Sequence, residues 1–146
     1  MCAASSGQRQ SCRLLFVYGT LMPTATSELG RAERQLLAAG ATVLGPASIQ
    51  GRLYDLGGYP GLVTGLGEDV EGEVLSLADP DATWSWLDAY EGIGSAEGQP
   101  TDAYTRKIVG VRPRAGPTAT QHAWAYIYTG PMDGLIPLSV RRWVAA

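Results

Sequence analysis

Apolar residues in this chain come in short runs cut off by glycine and proline, and this punctuation limits what the chain can fold into. The stretches "LLFVY" and "AWAYIY" are among the longest such runs. Both fall far below the ~18 to 20 residues of a membrane-crossing helix. A run of about five residues ended by glycine suits a buried strand, and 19 glycines and 9 prolines supply many turns. The expected product is therefore a sheet of short strands, without a membrane span.

Read in order, "RLLFVYG" predicts a strand over Leu14 to Tyr18, followed by the loop "GTLMPTAT". From Ser27 to Ala39, Leu29, Ala32, Leu36 and Leu37 recur at helical spacing, with Ser27 as N-cap and Gly40 as stop. In "ATVLGPASIQGRLYDL" the punctuation by Gly45, Pro46 and Gly51 predicts two short strands rather than one. "PGLVTG" and "VEGEVLSL" read as strands of a half-exposed sheet. Asp79 before Pro80 is the chemistry of a helix start, and Trp84, Leu87 and Tyr90 carry that helix to Gly92. Beyond the loop "IGSAEGQPTD", the segments "AYTRKIVGVRP" and "HAWAYIY" predict a long hairpin, and Trp143 is the expected anchor of the C-terminal tail.

The 146 residues suit one α+β domain with a mostly antiparallel or mixed sheet and two helices. The expected organisation is a flexible tail over 1–12 and a single domain over 13–146. The net charge is −3, with basic residues scattered, so nothing neutralises a phosphate backbone, and no nucleic-acid partner is expected. Cys2 and Cys12 lie in a polar opening without the apolar core of a secretory signal, which predicts a reduced, cytoplasmic protein. One histidine, His122, and no cysteine cluster assemble no recognised metal-ligand spacing, so neither metal nor cofactor is expected.

The helix beginning at Pro80 ends on "WLDAYEG". Glu91 comes seven residues after Trp84, which places it within about 20° of that tryptophan around the helix, and Leu87 shares the stripe. A glutamate there either points into a cavity at the core's edge, partly desolvated and a better base, or swings into water or onto an arginine such as Arg106. Asp88 reads as a structural or solvated residue. The loop "YGTL", Tyr18 to Leu21, leaves a buried strand through Gly19. Its peptide N–H groups either converge on an anion or simply follow a glycine bend.

Together "FVYGTLM" and "WLDAYEG" resemble the gamma-glutamylcyclotransferase-like family, with "GRLYDLGGYPGLV", "VEGEVLSL", "YTR" and "AWAYIY" matching its order of elements, over roughly Leu14 to Tyr128. The resemblance implies a small mixed β-barrel with peripheral helices, in which the "YGTL"-type loop and the glutamate of "LDxYEG" meet at one cavity. It implies a catalytic role for Glu91 as general acid/base, and substrate binding by Tyr18, Gly19, Thr20 and Leu21.

The activity implied is that of a cyclising acyltransferase or lyase acting on a small γ-glutamyl compound, releasing 5-oxoproline and the attached amine. The alternatives are removal of a γ-glutamyl protecting group from a biosynthetic intermediate, and a non-catalytic binding or interaction module. Tyr18 would orient substrate through its hydroxyl or only pack. Of the strand tyrosines Tyr54, Tyr59, Tyr104, Tyr126 and Tyr128, which read mostly as sheet packing, Tyr128 is retained as a binding candidate.

Overall fold

The computed structural model describes residues 12–25, 28, 30–56, 60–65, 67–91, 104–114, 120–138 and 143. The order of elements is β1 (Leu14–Val17), α1 (Arg31–Ala39), β2 (Ala41–Asp55), β3 (Pro60–Thr64), β4 (Glu68–Leu77), α2 (Pro80–Tyr90), β5 (Tyr104–Pro113), β6 (Gln121–Tyr128) and β7 (Ile136–Pro137).

Five strands close on themselves in the order β2-β4-β1-β6-β5, with β5 returning to β2 through Ala47–Pro113 and Ser48–Arg112. The β1–β6 pairing is parallel and the others are antiparallel, so the barrel is mixed, as the family resemblance implies. Both β3 and β7 pair with β2, outside this ring. Leu15, Phe16, Leu53, Leu62, Val70, Leu77 and Val111 are among the fully buried side chains. Removing such apolar area from water supplies the main stabilisation, at roughly 25 cal/mol per Å². The expected β5–β6 hairpin forms with continuous register from Tyr104–Tyr128 to Val111–Gln121, and Trp143 is buried in the core.

Three local expectations are corrected. The sequence "ATVLGPASIQGRLYDL" makes one strand, not two. Gly45, at φ 135°, takes up the irregularity where the β2–β4 register shifts between Val43 and Gly45, so the strand continues through Pro46. Helix α1 begins at Arg31 rather than at Ser27, because Gly30 precedes it in the left-handed conformation (φ 82°, ψ 4°), which a right-handed turn cannot run through. Ser27 and Leu29 lie outside the described residues. The α1 stripe is also narrower than its spacing suggested, since Leu37 is buried while Leu36 is 56% exposed. Strand β4 is more buried than a half-exposed strand: Glu73, Val74 and Leu75 are all buried in succession. The loop after β1 reaches this strand, where Thr24 donates to Glu73 at 3.1 Å.

The expected tail over 1–12 lies outside the described residues except for Cys12. Cys12 is buried and carries a disulfide in this structure, which differs from the reduced state expected. No helix is long and apolar enough to cross a membrane among the described residues.

Candidate active site

Helix α2 starts as its sequence dictates. Asp79 is extended and its side chain accepts the Ala82 N–H at 3.2 Å, while Pro80 needs no donor in the first turn. The helix runs eleven residues and ends at Glu91, its C-cap, whose N–H donates to the Leu87 carbonyl at 2.9 Å. Gly92, the expected stop, lies outside the described residues. Leu87 is fully buried and Trp84 half-buried, so the last turn carries Glu91 back toward the barrel.

There Glu91 forms one side of a cleft of about 40 Å³, whose other walls include Tyr18, Gly19, Thr20, Leu21, Pro60, Tyr104 and Tyr126. The loop and the helix end, some seventy residues apart in sequence, thus share one cavity. The Glu91 carboxyl is pushed up to about 7, first by the desolvating wall and then by the charge of Asp88. Part of the residue remains accessible, while the carboxyl itself is largely desolvated. The Tyr18 and Tyr126 phenols are raised mainly by burial, and the charge of Glu91 adds to both. They stay protonated at neutral pH.

The loop is held on every side. The Tyr18 hydroxyl donates to the Tyr126 carbonyl at 2.6 Å and accepts the Leu62 N–H at 3.3 Å, so it is spent on the backbone. The Thr20 hydroxyl meets the Tyr90 hydroxyl at 3.2 Å, and Arg34 of α1 donates to the Thr20 carbonyl at 2.7 Å. Leu21 is buried, and the Met22 N–H closes a turn onto the Gly19 carbonyl at 3.0 Å. The backbone N–H groups of Gly19, Thr20 and Leu21 donate to no other backbone group among the described residues. Gly19 is required for a different reason from the one expected. Its φ is not positive, but a Cβ there would stand 2.9 Å from Pro60 Cγ.

Tyr128 is not among the lining residues. Its ring packs edge-on against Tyr104 at 6.0 Å and its hydroxyl donates to the Pro131 carbonyl at 2.6 Å, one layer behind the wall. The strand tyrosines that do line the cleft are Tyr104, bonded to the Pro60 carbonyl at 2.9 Å, and Tyr126, bonded to Asp88 Oδ1 at 2.6 Å. Periodicity shared by Tyr104, Tyr126 and Tyr128 could not separate them. The strand register does not separate them either, because Tyr104 lies opposite Tyr128 and so shares its face of the sheet.

Arg106 is paired with Asp88 rather than Glu91, in a partly buried two-point contact and not at the surface. No group of three or more His, Cys, Asp or Glu able to hold a metal is found among the described residues. The cleft therefore offers one titratable carboxylate with a proton affinity near neutrality, hydroxyl-bearing aromatic walls and a loop with spare N–H donors.

The chain matches a family model described as gamma-glutamyl cyclotransferase, AIG2-like, over residues 15–145. It is 33% identical over 131 residues to the gamma-glutamylcyclotransferase family protein YtfP of Escherichia coli strain K12, covering 89% of this chain and 95% of that one. The solution NMR structure of protein ytfP from Escherichia coli matches with a TM-score of 0.57 at 32% identity, over 89% of this chain and 95% of the other. The crystal structure of an aig2-like protein from Mus musculus shares the fold, with a TM-score of 0.60 at 20% identity over 84% and 80% of the two chains.

Proposed function

The chain belongs to the gamma-glutamyl cyclotransferase, AIG2-like family, and on that footing we propose that it cyclises a small γ-glutamyl compound to 5-oxoproline and releases the attached amine. The observation that carries this reading is the Glu91 carboxyl, raised to about 7 in the cleft that it shares with the Gly19 loop.

In this mechanism the α-amino group of the substrate attacks its own γ-carbonyl carbon, forming the ring C–N bond while the bond to the departing amine breaks. Two protons leave the ammonium as it becomes the lactam N–H: Glu91 relays one to the departing nitrogen, and the second ends on the released amine as its ammonium, so no net proton is consumed. Both reacting groups belong to one molecule, and holding the folded-back conformer contributes up to several kcal/mol toward the barrier. N–H groups of Gly19, Thr20 and Leu21 bind the α-carboxylate or the developing oxyanion. Tyr18 serves the site by fixing the cleft wall, since its hydroxyl is bonded to backbone. Tyr128 supports the Tyr104 ring rather than touching substrate.

The substrate's reacting atoms lie at Glu91, beside the Gly19 loop that shares the cleft. The test is a panel of γ-glutamyl amines, γ-glutamyl amino acids and glutathione, assayed for 5-oxoproline with wild type and with Glu91→Gln. Release that is confined to wild type supports the reading. Equal release by both proteins removes Glu91 from the chemistry, and no release with retained ligand binding makes the chain a binding module.

A further inference from the structure

Behind Glu91 lies a group of side chains that the reaction itself does not use. Asp88 precedes Glu91 by three residues and so shares its side of α2 one turn earlier. Its Oδ1 accepts Arg106 Nε at 2.9 Å and its Oδ2 accepts Arg106 Nη2 at 3.2 Å. Oδ1 also accepts the Tyr126 hydroxyl at 2.6 Å. The two charged side chains are only 15% and 16% exposed. The guanidinium is flanked by the rings of Trp84, at 4.2 Å, and Trp124, at 4.5 Å. These contacts join α2 to β5 and β6, and Tyr126 is itself a wall of the cleft.

A buried ion pair is weak evidence of stabilisation, because well-packed apolar side chains often serve as well or better. What a fixed carboxylate adds over hydrocarbon is a charge of defined position, one helical turn from Glu91. We propose that Asp88, held by Arg106 and Tyr126, is a positioning residue that docks the last turn of α2 on the barrel and, through its charge, sets the protonation of Glu91. The functional half of this inference rests on Glu91 being the acid/base of the proposed reaction.

Geometry gives each partner a distinct sign. The charge of Asp88 opposes ionisation of Glu91, adding to burial, and Arg106 offsets the charge of Asp88. Among the described residues, the other groups facing the site are phenols: Tyr18 just after β1, Tyr90 from α2, Tyr104 from β5 and Tyr126 from β6. From α1, Glu33 and Arg34 act on Tyr90 with opposite signs. Among the described groups packed around the cleft, the Asp88–Arg106 pair is thus the adjustable charge.

The experiment is a ¹³C NMR titration of the Glu91 side-chain carboxyl in wild type, Asp88→Asn and Arg106→Gln, with the pH profile of kcat/KM measured alongside. Asp88→Asn keeps the shape and moves the Glu91 midpoint down by about half a pH unit or more. Arg106→Gln moves it up, since Asp88 loses its counter-charge. The acid limb of the rate profile moves with each midpoint. A purely structural contact would lower thermal stability in both variants without shifts of opposite sign. If Arg106→Gln does not fold, Asp88→Asn decides, and an unmoved Glu91 midpoint there overturns the inference. Failure of the functional reading is separately visible: wild type then releases no 5-oxoproline while the NMR midpoints still shift.

Discussion

Two depressions lie on the barrel at different places. One, of about 580 Å³, opens where β2 and β5 pair through only two residues each and then diverge, and it is lined by Ser48, Gln50, Asp69, Arg112 and Thr120 among others. The other is the 40 Å³ cleft beside Glu91. In the wide groove Asp69 and Arg112 are exposed, so water solvates their charges at little cost. In the narrow cleft the wall excludes water from one carboxyl, and that exclusion raises its proton affinity to where proton transfer near neutral pH is efficient. Volume follows from how strands diverge and reactivity from how a charge is enclosed, and on that ground the smaller depression is the one proposed as the reaction site.

The largest test of this contrast sets Glu91→Gln against Asp69→Asn and Arg112→Gln. Loss of a general acid/base lowers turnover by about 10² to 10⁴-fold, measured as 5-oxoproline release. The two groove variants stay within about twofold of wild type, as solvated groups away from the reacting atoms should. A groove variant that loses activity as severely as Glu91→Gln would reverse the assignment of the site.

A second pair compares glycines. In Gly19→Ala the new Cβ stands 2.9 Å from Pro60 Cγ and 3.2 Å from Cδ, so the loop and the opposite wall must move apart. Displacement of that order costs about 10- to 100-fold in kcat/KM. Gly65→Ala at the groove meets nothing within 4 Å but forces alanine to φ 137°. It lowers stability by more than about 1 kcal/mol and leaves turnover per folded molecule unchanged. Assays normalised to folded protein, with thermal melts alongside, separate the two outcomes.

How much of this was legible in the sequence depended on whether the governing interaction was local. The start of α2 was fixed by Asp79 and Pro80, which act within one turn, and the structure reproduces it. The joining of "YGTL" with "WLDAYEG" came only through resemblance, because spacing along one helix cannot report what lies across the barrel. Periodicity showed that Glu91 follows Trp84 and Leu87 around α2, yet left a solvated helix end open. The removal of Arg106 as its partner depends on Asp88 and on the Trp84–Trp124 sandwich, which arise from three separate elements. The continuity of β2 was hidden because Gly45 and Pro46 punctuate as a turn does, whereas here the glycine serves a bulge inside a paired strand. The distinction between Tyr128 and its neighbours is one of barrel layer, which a two-residue alternation does not encode.

The rate profile should carry the signature of enclosure. With Glu91 raised to about 7, the basic form needed to accept the substrate proton is lost below that pH, and kcat/KM falls about tenfold per unit on the acid side. Asp69→Asn retains this limb. A plateau extending unchanged down to pH 5 would mean that the working base is an ordinary solvated carboxylate, and that the cleft lacks the enclosure distinguishing it from the groove.

The smallest effect is on stability, and its sign is the most telling. Glu91 is raised in the folded protein from the ordinary 4.5 to about 7, so the fold binds its proton more tightly than the unfolded chain does. The favourable contribution is full below about 4.5, declines as pH rises through the interval, and is gone above about 7, where the desolvated carboxylate opposes folding. Glutamine has a similar shape and no such ionisation. Glu91→Gln should therefore melt a few degrees above wild type at pH 8.5, with that gain disappearing toward pH 4. Asp69→Asn, exposed in the open groove, should show no comparable gain at pH 8.5. The same burial that suits Glu91 to the proposed role of base thus makes its carboxylate a burden on the fold above about pH 7, a trade expected of a reaction site and not of a solvated groove.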